Sequence, residues 1–207
     1  MLERILLTND DGIEAPGLEV LEAIASELAR EVWVVAPEHD QSGVSHAISL
    51  HHALRVSHRG PRRFGISGTP GDCAVMGIGH LMTDGPPDLL LSGVNRGLNL
   101  GMETVFSGTV GGAMTGMMLG VPSIGLSQAY KDRNNPVWDA SRTLGARVVR
   151  ELLARRRSHY RRKKWRYCAQ EGNDVPRMRS ADSGSAEQTL GSIISIGDLS
   201  NRAGVLG

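Results

Sequence analysis

Four short apolar runs, each followed by glycine or polar residues and spaced by stretches of helical periodicity, limit how this chain can fold. Residues 4–8, 32–37 ("VWVVAP"), 87–95 ("PDLLLSGVN") and 121–127 ("VPSIGLS") read as buried strands. Between the first two, Pro16 opens a helix in which Leu18, Leu21, Ile24, Ala25 and Leu28 recur on one face. Residues 71–82, 107–120 and 137–154 read as three further helices, the second rich in small residues. "SLHHALRV" and "RFGISG" read as the two strands of a hairpin, and 38–47 as a polar loop. Strands alternating with helices imply an α/β fold whose mostly parallel sheet is covered on both faces.

In such sheets ligands bind beyond the carboxyl ends of the strands. Here those ends read "TNDDG", "APEHDQSG" and "SGVNRGLNLG", rich in glycine and oxygen donors. Asp10 and Asp11 are the sharpest feature, because adjacent carboxylates repel unless a positive charge lies between them. A solvated turn is the bland reading of an isolated "NDDG", since Asp and Gly are common turn residues. Ser42 in "DQSG" and Asn95 in "SGVN", at comparable strand exits, favour the functional one. Carboxylate, hydroxyl and amide oxygens are hard donors suited to Mg²⁺ or Mn²⁺. Zinc would draw on Cys and His, and no histidine pair has ligand spacing with a carboxylate. His51 and His52 are adjacent, which on a strand puts them on opposite faces; His46, near Ser42, is the histidine of interest.

Other classes are disfavoured. Aromatics make up 4% of the 207 residues, too few for a base-stacking surface. Neither an ATP phosphate loop nor a dinucleotide glycine fingerprint follows the first strand. Two cysteines far apart fit a reducing compartment, and no long apolar segment precedes the first charges or suits a membrane span. A cytoplasmic location is the default expectation. A receiver-like signalling domain also carries an acidic pair, but "FGISG" lacks the phosphoacceptor Asp it needs.

"FSGTVGGAM" holds the remaining chemistry. Ser107, Gly108 and Thr109 stand where a helix begins, as caps or as a phosphate cradle of free N–H groups. Taken together, "ILLTNDDG…APG", "VVAPEHDQSG", "GTPGDC", "LLLSGVNRGLNLG" and "FSGTVGGAM" resemble the survival protein SurE family of nucleotidases, in order from Met1 to about Leu153. The resemblance implies a Rossmann-like three-layer fold and hydrolysis of nucleoside 5'-monophosphates, with 3'-monophosphates and short polyphosphate as further substrates. It implies one Mn²⁺ or Mg²⁺ per subunit held by Asp10, Asp11, Ser42 and Asn95, with the two aspartates catalytic. Asn9, Asn99, Ser107, Gly108 and Thr109 would line the phosphate pocket.

The resemblance ends where the composition changes. Residues 1–154, read as the catalytic domain, carry 12 Lys and Arg against 17 Asp and Glu, whereas 155–166 ("RRRSHYRRKKWR") carry 8 basic residues and no acid. The rest, to Gly207, is polar and rich in Ser and Gly. Such a segment reads as a poorly ordered tail standing in place of the family's closing elements, as an altered reading frame would produce. The family's homodimers or tetramers use an extended arm, of which this tail has no recognisable counterpart. The basic run alternatively reads as a nucleic-acid contact in a chain without catalytic activity, but the acidic remainder argues against a broad basic face. No membrane partner is expected.

Overall fold

The computed structural model of the chain describes residues 1–132, 137–160 and 192–196. The sheet is built from β1 (Leu2–Thr8), β2 (Ala29–Pro37), β3 (Val56–Gly60), β4 (Arg63–Ile66), β5 (Leu89–Arg96), β6 (Ser123–Gln128) and β7 (Ser192–Ile196). Its spatial order is β3-β4-β2-β1-β5-β6-β7, and every pairing is parallel except β3 with β4. β1 lies between β2 and β5, with Ile5 level with Val32 and with Leu89. The helices are α1 (Pro16–Ser26), α2 (Pro70–Met76), α3 (Glu103–Phe106), α4 (Gly108–Met118) and α5 (Asp139–Tyr160).

Alternation along the strands sends side chains into two cores. Ile5, Leu7, Leu89 and Leu91 join Leu18, Leu21 and Ile24 of α1 and Val149 of α5 on one face. Leu6, Val35, Leu90 and Ile66 join Cys73 and Ala74 of α2 and Val121 on the other. α4 packs beside α2 and over β5 and β6. Burial on both faces is why the strands appear as unbroken apolar runs. This is a three-layer α/β fold.

The sequence expectations hold for β1, β2, β4, β5, β6, α1 and α4, and need adjustment elsewhere. The expected strand "SLHHALRV" is irregular up to Arg55, and β3 starts only at Val56. There the buried Asp72 accepts hydrogen bonds from Ser49 N (2.9 Å) and Ser49 Oγ (2.6 Å), which fixes that segment over α2 instead of in the sheet. Asp72 also completes a capping box with Thr69, starting α2 sharply. The expected helix 71–82 ends at Met76 and continues as a π-helical turn, Gly77–Leu81, where a Cβ on Gly77 would meet Leu6 Cδ2 at 2.7 Å. The boundary expected at residue 154 falls inside α5, which runs to Tyr160, and five residues of the expected tail pair as β7 with β6. The rest of that tail, including 161–166 of the basic run, lies outside the described residues. No described helix is long and apolar enough to cross a membrane.

Candidate active site at the strand carboxyl ends

β1 delivers Asp10 and Asp11 just past its last residue, and the chain turns away at Gly12 with φ +102°. The loop after β2 brings Ser42, β5 carries Asn95 as its penultimate residue, and the following loop brings Asn99. These residues, with Ser107, line one cleft of about 680 Å³. The strand ends that the sequence reading expects to converge do so. Leu98, Leu100, Phe106 and Tyr130 give the cleft its apolar lining, and Phe106 is 61% exposed.

Asn9 and Thr109 stand behind this surface. Asn9 Nδ2 donates to the Gly12 carbonyl at 2.8 Å, leaving its buried Oδ1 with no hydrogen-bond partner among the described residues. The buried Asn99 Nδ2 lacks one too. Unsatisfied buried groups are costly and call for an explanation. Here both sit at or beside a polar cleft that a ligand would complete. Arg96 N donates to Asp11 Oδ2 at 3.3 Å, and Asn95 Nδ2 to the Gly97 carbonyl at 3.0 Å, so Asn95 keeps its side-chain oxygen for another partner. Gln41 N reaches the Asp10 carbonyl at 2.7 Å and ties the β2 exit to the β1 exit. Arg63 Nη2 holds the Ile13 carbonyl at 2.7 Å while pairing with Glu22, steadying the same turn from the sheet.

Burial pushes the Asp10 carboxyl up to about 6. The hydroxyl of Thr109, donating to Asp10 Oδ1 at 2.5 Å, works against that rise, and the neighbouring charge of Asp11 adds to it. A buried carboxylate beside a second one gains from a positive charge placed between them. Two carboxylates, a hydroxyl and an amide oxygen facing one cleft suit a hard divalent cation. Among the described residues no three His, Cys, Asp or Glu side chains gather in a way that would hold a metal, so a zinc-type cluster is not built. His46 points elsewhere: its Nε2 lies 2.8 Å from Thr115 Oγ1 on α4.

Ser107 caps α4, its Oγ accepting from Val110 N at 3.1 Å. The sequence assigns Thr109 to the phosphate-binding turn, whereas the structure gives its hydroxyl to Asp10. Thr109→Val therefore has an expected signature on the metal side. Losing a donor that favours the charged form raises Asp10 further. Mn²⁺ affinity should fall by about tenfold at pH 6, the worth of a charge-assisted hydrogen bond, and by less at pH 8. Manganese titrations at the two pH values check this; equal losses at both would place the hydroxyl's role elsewhere.

The survival protein SurE family model matches residues 5–173. The chain belongs to the SurE family. It is 62% identical over 154 residues to 5'-nucleotidase SurE 1 of Burkholderia lata, covering 74% of this chain and 60% of that protein. It is 54% identical over 152 residues to 5'-nucleotidase SurE of Nitrobacter winogradskyi, covering 72% and 60%. Among solved structures it resembles the SurE protein from Aquifex aeolicus, with TM-score 0.67 and 36% identity over 73% of this chain and 60% of that one. This SurE chain thus spans three fifths of the length of these relatives. The Rossmann-like reading of the sheet agrees with that structural match. The apolar lining of the cleft was not anticipated from the sequence, because Leu98, Leu100 and Phe106 are scattered among glycines and polar residues.

Proposed function

We propose that this chain is a metal-dependent phosphatase acting on nucleoside 5'-monophosphates. The observation that carries the reading is the convergence of Asp10, Asp11, Ser42 and Asn95, from three strand exits, on one cleft beside Asn99 and Ser107. The relatives are named as 5'-nucleotidases, which supports the substrate class. Asp10, Asp11, Ser42 and Asn95 would hold one Mn²⁺ or Mg²⁺. Such an ion, when bound, polarises a phosphoryl oxygen and lowers the pKa of water.

The chain's own residues supply the rest. The Asn99 amide, unpaired within the described residues, donates to a phosphoryl oxygen, and the start of α4 offers it backbone N–H groups. Asp10 is held by Thr109, so the proton of an attacking water goes to the less buried Asp11 in this reading. The apolar lining of the cleft suits the nucleoside, and a cleft of this volume accommodates a ligand of nucleotide size.

A phosphate-release assay over a panel of nucleoside monophosphates, with β-glycerophosphate as a small ester, tests the proposal. EDTA should silence the reaction, and Mn²⁺ or Mg²⁺ should restore it better than Ca²⁺, which favours more ligands at longer distances. Nucleotides should exceed β-glycerophosphate in kcat/KM by about tenfold or more, the worth of one well-placed apolar contact surface. Release that survives EDTA, or that treats both esters alike, would count against the metal or the nucleoside part respectively.

A further inference from the structure

Ser45 is in the left-handed region, with φ +58°, where a residue with a Cβ is uncommon. Such a conformation persists only where the surroundings enforce it. At Ser45 the contacts run to Val105 and to Phe106, which lines the cleft, and to Gly111 of α4. Its N–H donates to the Phe106 carbonyl at 3.0 Å and its Oγ to the Val105 carbonyl at 2.6 Å. Its own carbonyl lies against Gly111 in α4, where an added Cβ would stand 2.3 Å from Ser45 O and 3.0 Å from His46 Cα. One turn further along α4, Thr115 Oγ1 meets His46 Nε2 at 2.8 Å and donates to the Gly111 carbonyl at 2.9 Å.

Three residues upstream of Ser45 is Ser42, the cleft residue contributed by the β2 loop. Immediately downstream of Phe106 is Ser107, which starts α4. The Ser45 contacts are therefore a short mechanical link between the loop carrying Ser42 and the helix start carrying Ser107, Gly108 and Thr109. Within the link Phe106 lines the cleft, whereas Ser45 and Gly111 do not and act from behind it.

We propose that Ser45, seated on Gly111, is a positioning residue that holds the Ser42 loop in register with the phosphate-binding end of α4. The inference rests on the phosphatase reading above and adds a residue pair to it. Ser42 then reaches the cation only while the loop is seated, and the phosphoryl group is held by one rigid body and not by two loops moving independently. Misplacement on the order of 1 Å is enough to lower catalysis about 100-fold.

Two variants separate this role from a merely structural one. Ser45→Gly removes the hydroxyl while placing in the left-handed region the residue most at ease there, so the fold should lose no thermal stability. Gly111→Ala puts a methyl group against the Ser45 carbonyl while improving helix propensity. In both, the Mn²⁺ dissociation constant measured without nucleotide by electron paramagnetic resonance should rise about tenfold. kcat for nucleoside monophosphates should fall on the order of 100-fold with a smaller change in KM. The thermal midpoint should stay within a few degrees of the parent in Ser45→Gly, whereas Gly111→Ala, whose methyl meets fixed backbone, should lose stability, so Ser45→Gly is the deciding variant. Parental Mn²⁺ binding and kcat in Ser45→Gly would overturn the proposal, as would losses in that variant that merely follow a collapse of thermal stability. A parent chain that binds Mn²⁺ but hydrolyses no phosphate ester would sink the phosphatase reading, leaving the metal measurement to decide the seat. A parent chain that binds no Mn²⁺ overturns both.

Discussion

Asp10→Asn and Asp11→Asn should each leave a folded protein with at least about 1000-fold less cation-dependent phosphate release, since each removes several kcal/mol of charge stabilisation around one ion. Phosphate release with saturating Mn²⁺, alongside a thermal melt, is the measurement. Near-normal turnover by Asp11→Asn would show that the cation is held elsewhere. Asp10 also sets a pH dependence of stability when no metal is bound. Burial lifts the Asp10 carboxyl from 3.8 to about 6, so the folded state takes up its proton more readily than the unfolded chain. Between those values the native state holds more protons, and stability therefore falls as pH rises from about 4 to about 6. The rise from 3.8 to about 6 corresponds to about 3 kcal/mol in all. Urea unfolding in EDTA should show that slope in the parent and its loss in Asp10→Asn. Adding Mn²⁺ should reverse the trend, because the ion binds the ionised form.

Gly108→Ala is the second large effect. An added Cβ would lie 2.7 Å from Asp10 Cβ, 3.1 Å from its Oδ2 and 3.3 Å from its Cγ. The first of these atoms is fixed by the backbone, so the whole carboxylate must shift or α4 must back away. A displacement of that kind is expected to lower kcat/KM on the order of 100-fold and to weaken Mn²⁺ binding. Stability is buffered by the better helix propensity of alanine, worth up to about 1 kcal/mol. The midpoint should therefore move by only a few degrees, and a variant with parental kinetics would mean that Asp10 has slack the packing does not suggest.

What the sequence revealed, and what it hid, follows from the kind of signal each feature leaves. Ile5 to Leu7 and Leu89 to Leu91 are buried on both faces, so their runs are unbroken and legible. Asp10 and Asp11 stand out because charge directly after such a run demands a reason. β3 was displaced in the sequence reading because alternation in "SLHHALRV" imitates a strand, while the bond that removes Ser49 from the sheet comes from Asp72, 23 residues away. α2 was expected to be longer because nothing local announces that Gly77 must fit against Leu6. β7 has five residues set in a Ser- and Gly-rich context, and its pairing partner β6 lies far back in the chain. The bond from Thr109 to Asp10 is hidden for the same reason: a hydroxyl at a helix start reads as a cap or an anion ligand, and its attachment to Asp10 exists only in three dimensions. Ser45 leaves the faintest trace, since a positive φ at a serine has no sequence signature.

The bond between Thr109 and Asp10 spans 99 residues. On a ribosome adding about 5–20 residues per second, Asp10 is therefore made some ~5–20 s before the hydroxyl that holds it. During that interval the acidic turn after β1 is an open, strongly hydrated segment of nascent chain with neither its α4 cover nor its Asn95 neighbour. On the proposed function, cation capture would not guide the first stages of folding and would instead report their completion. A pulse of Mn²⁺ given to stalled chains of increasing length should go unbound until α4 has emerged, then be retained abruptly.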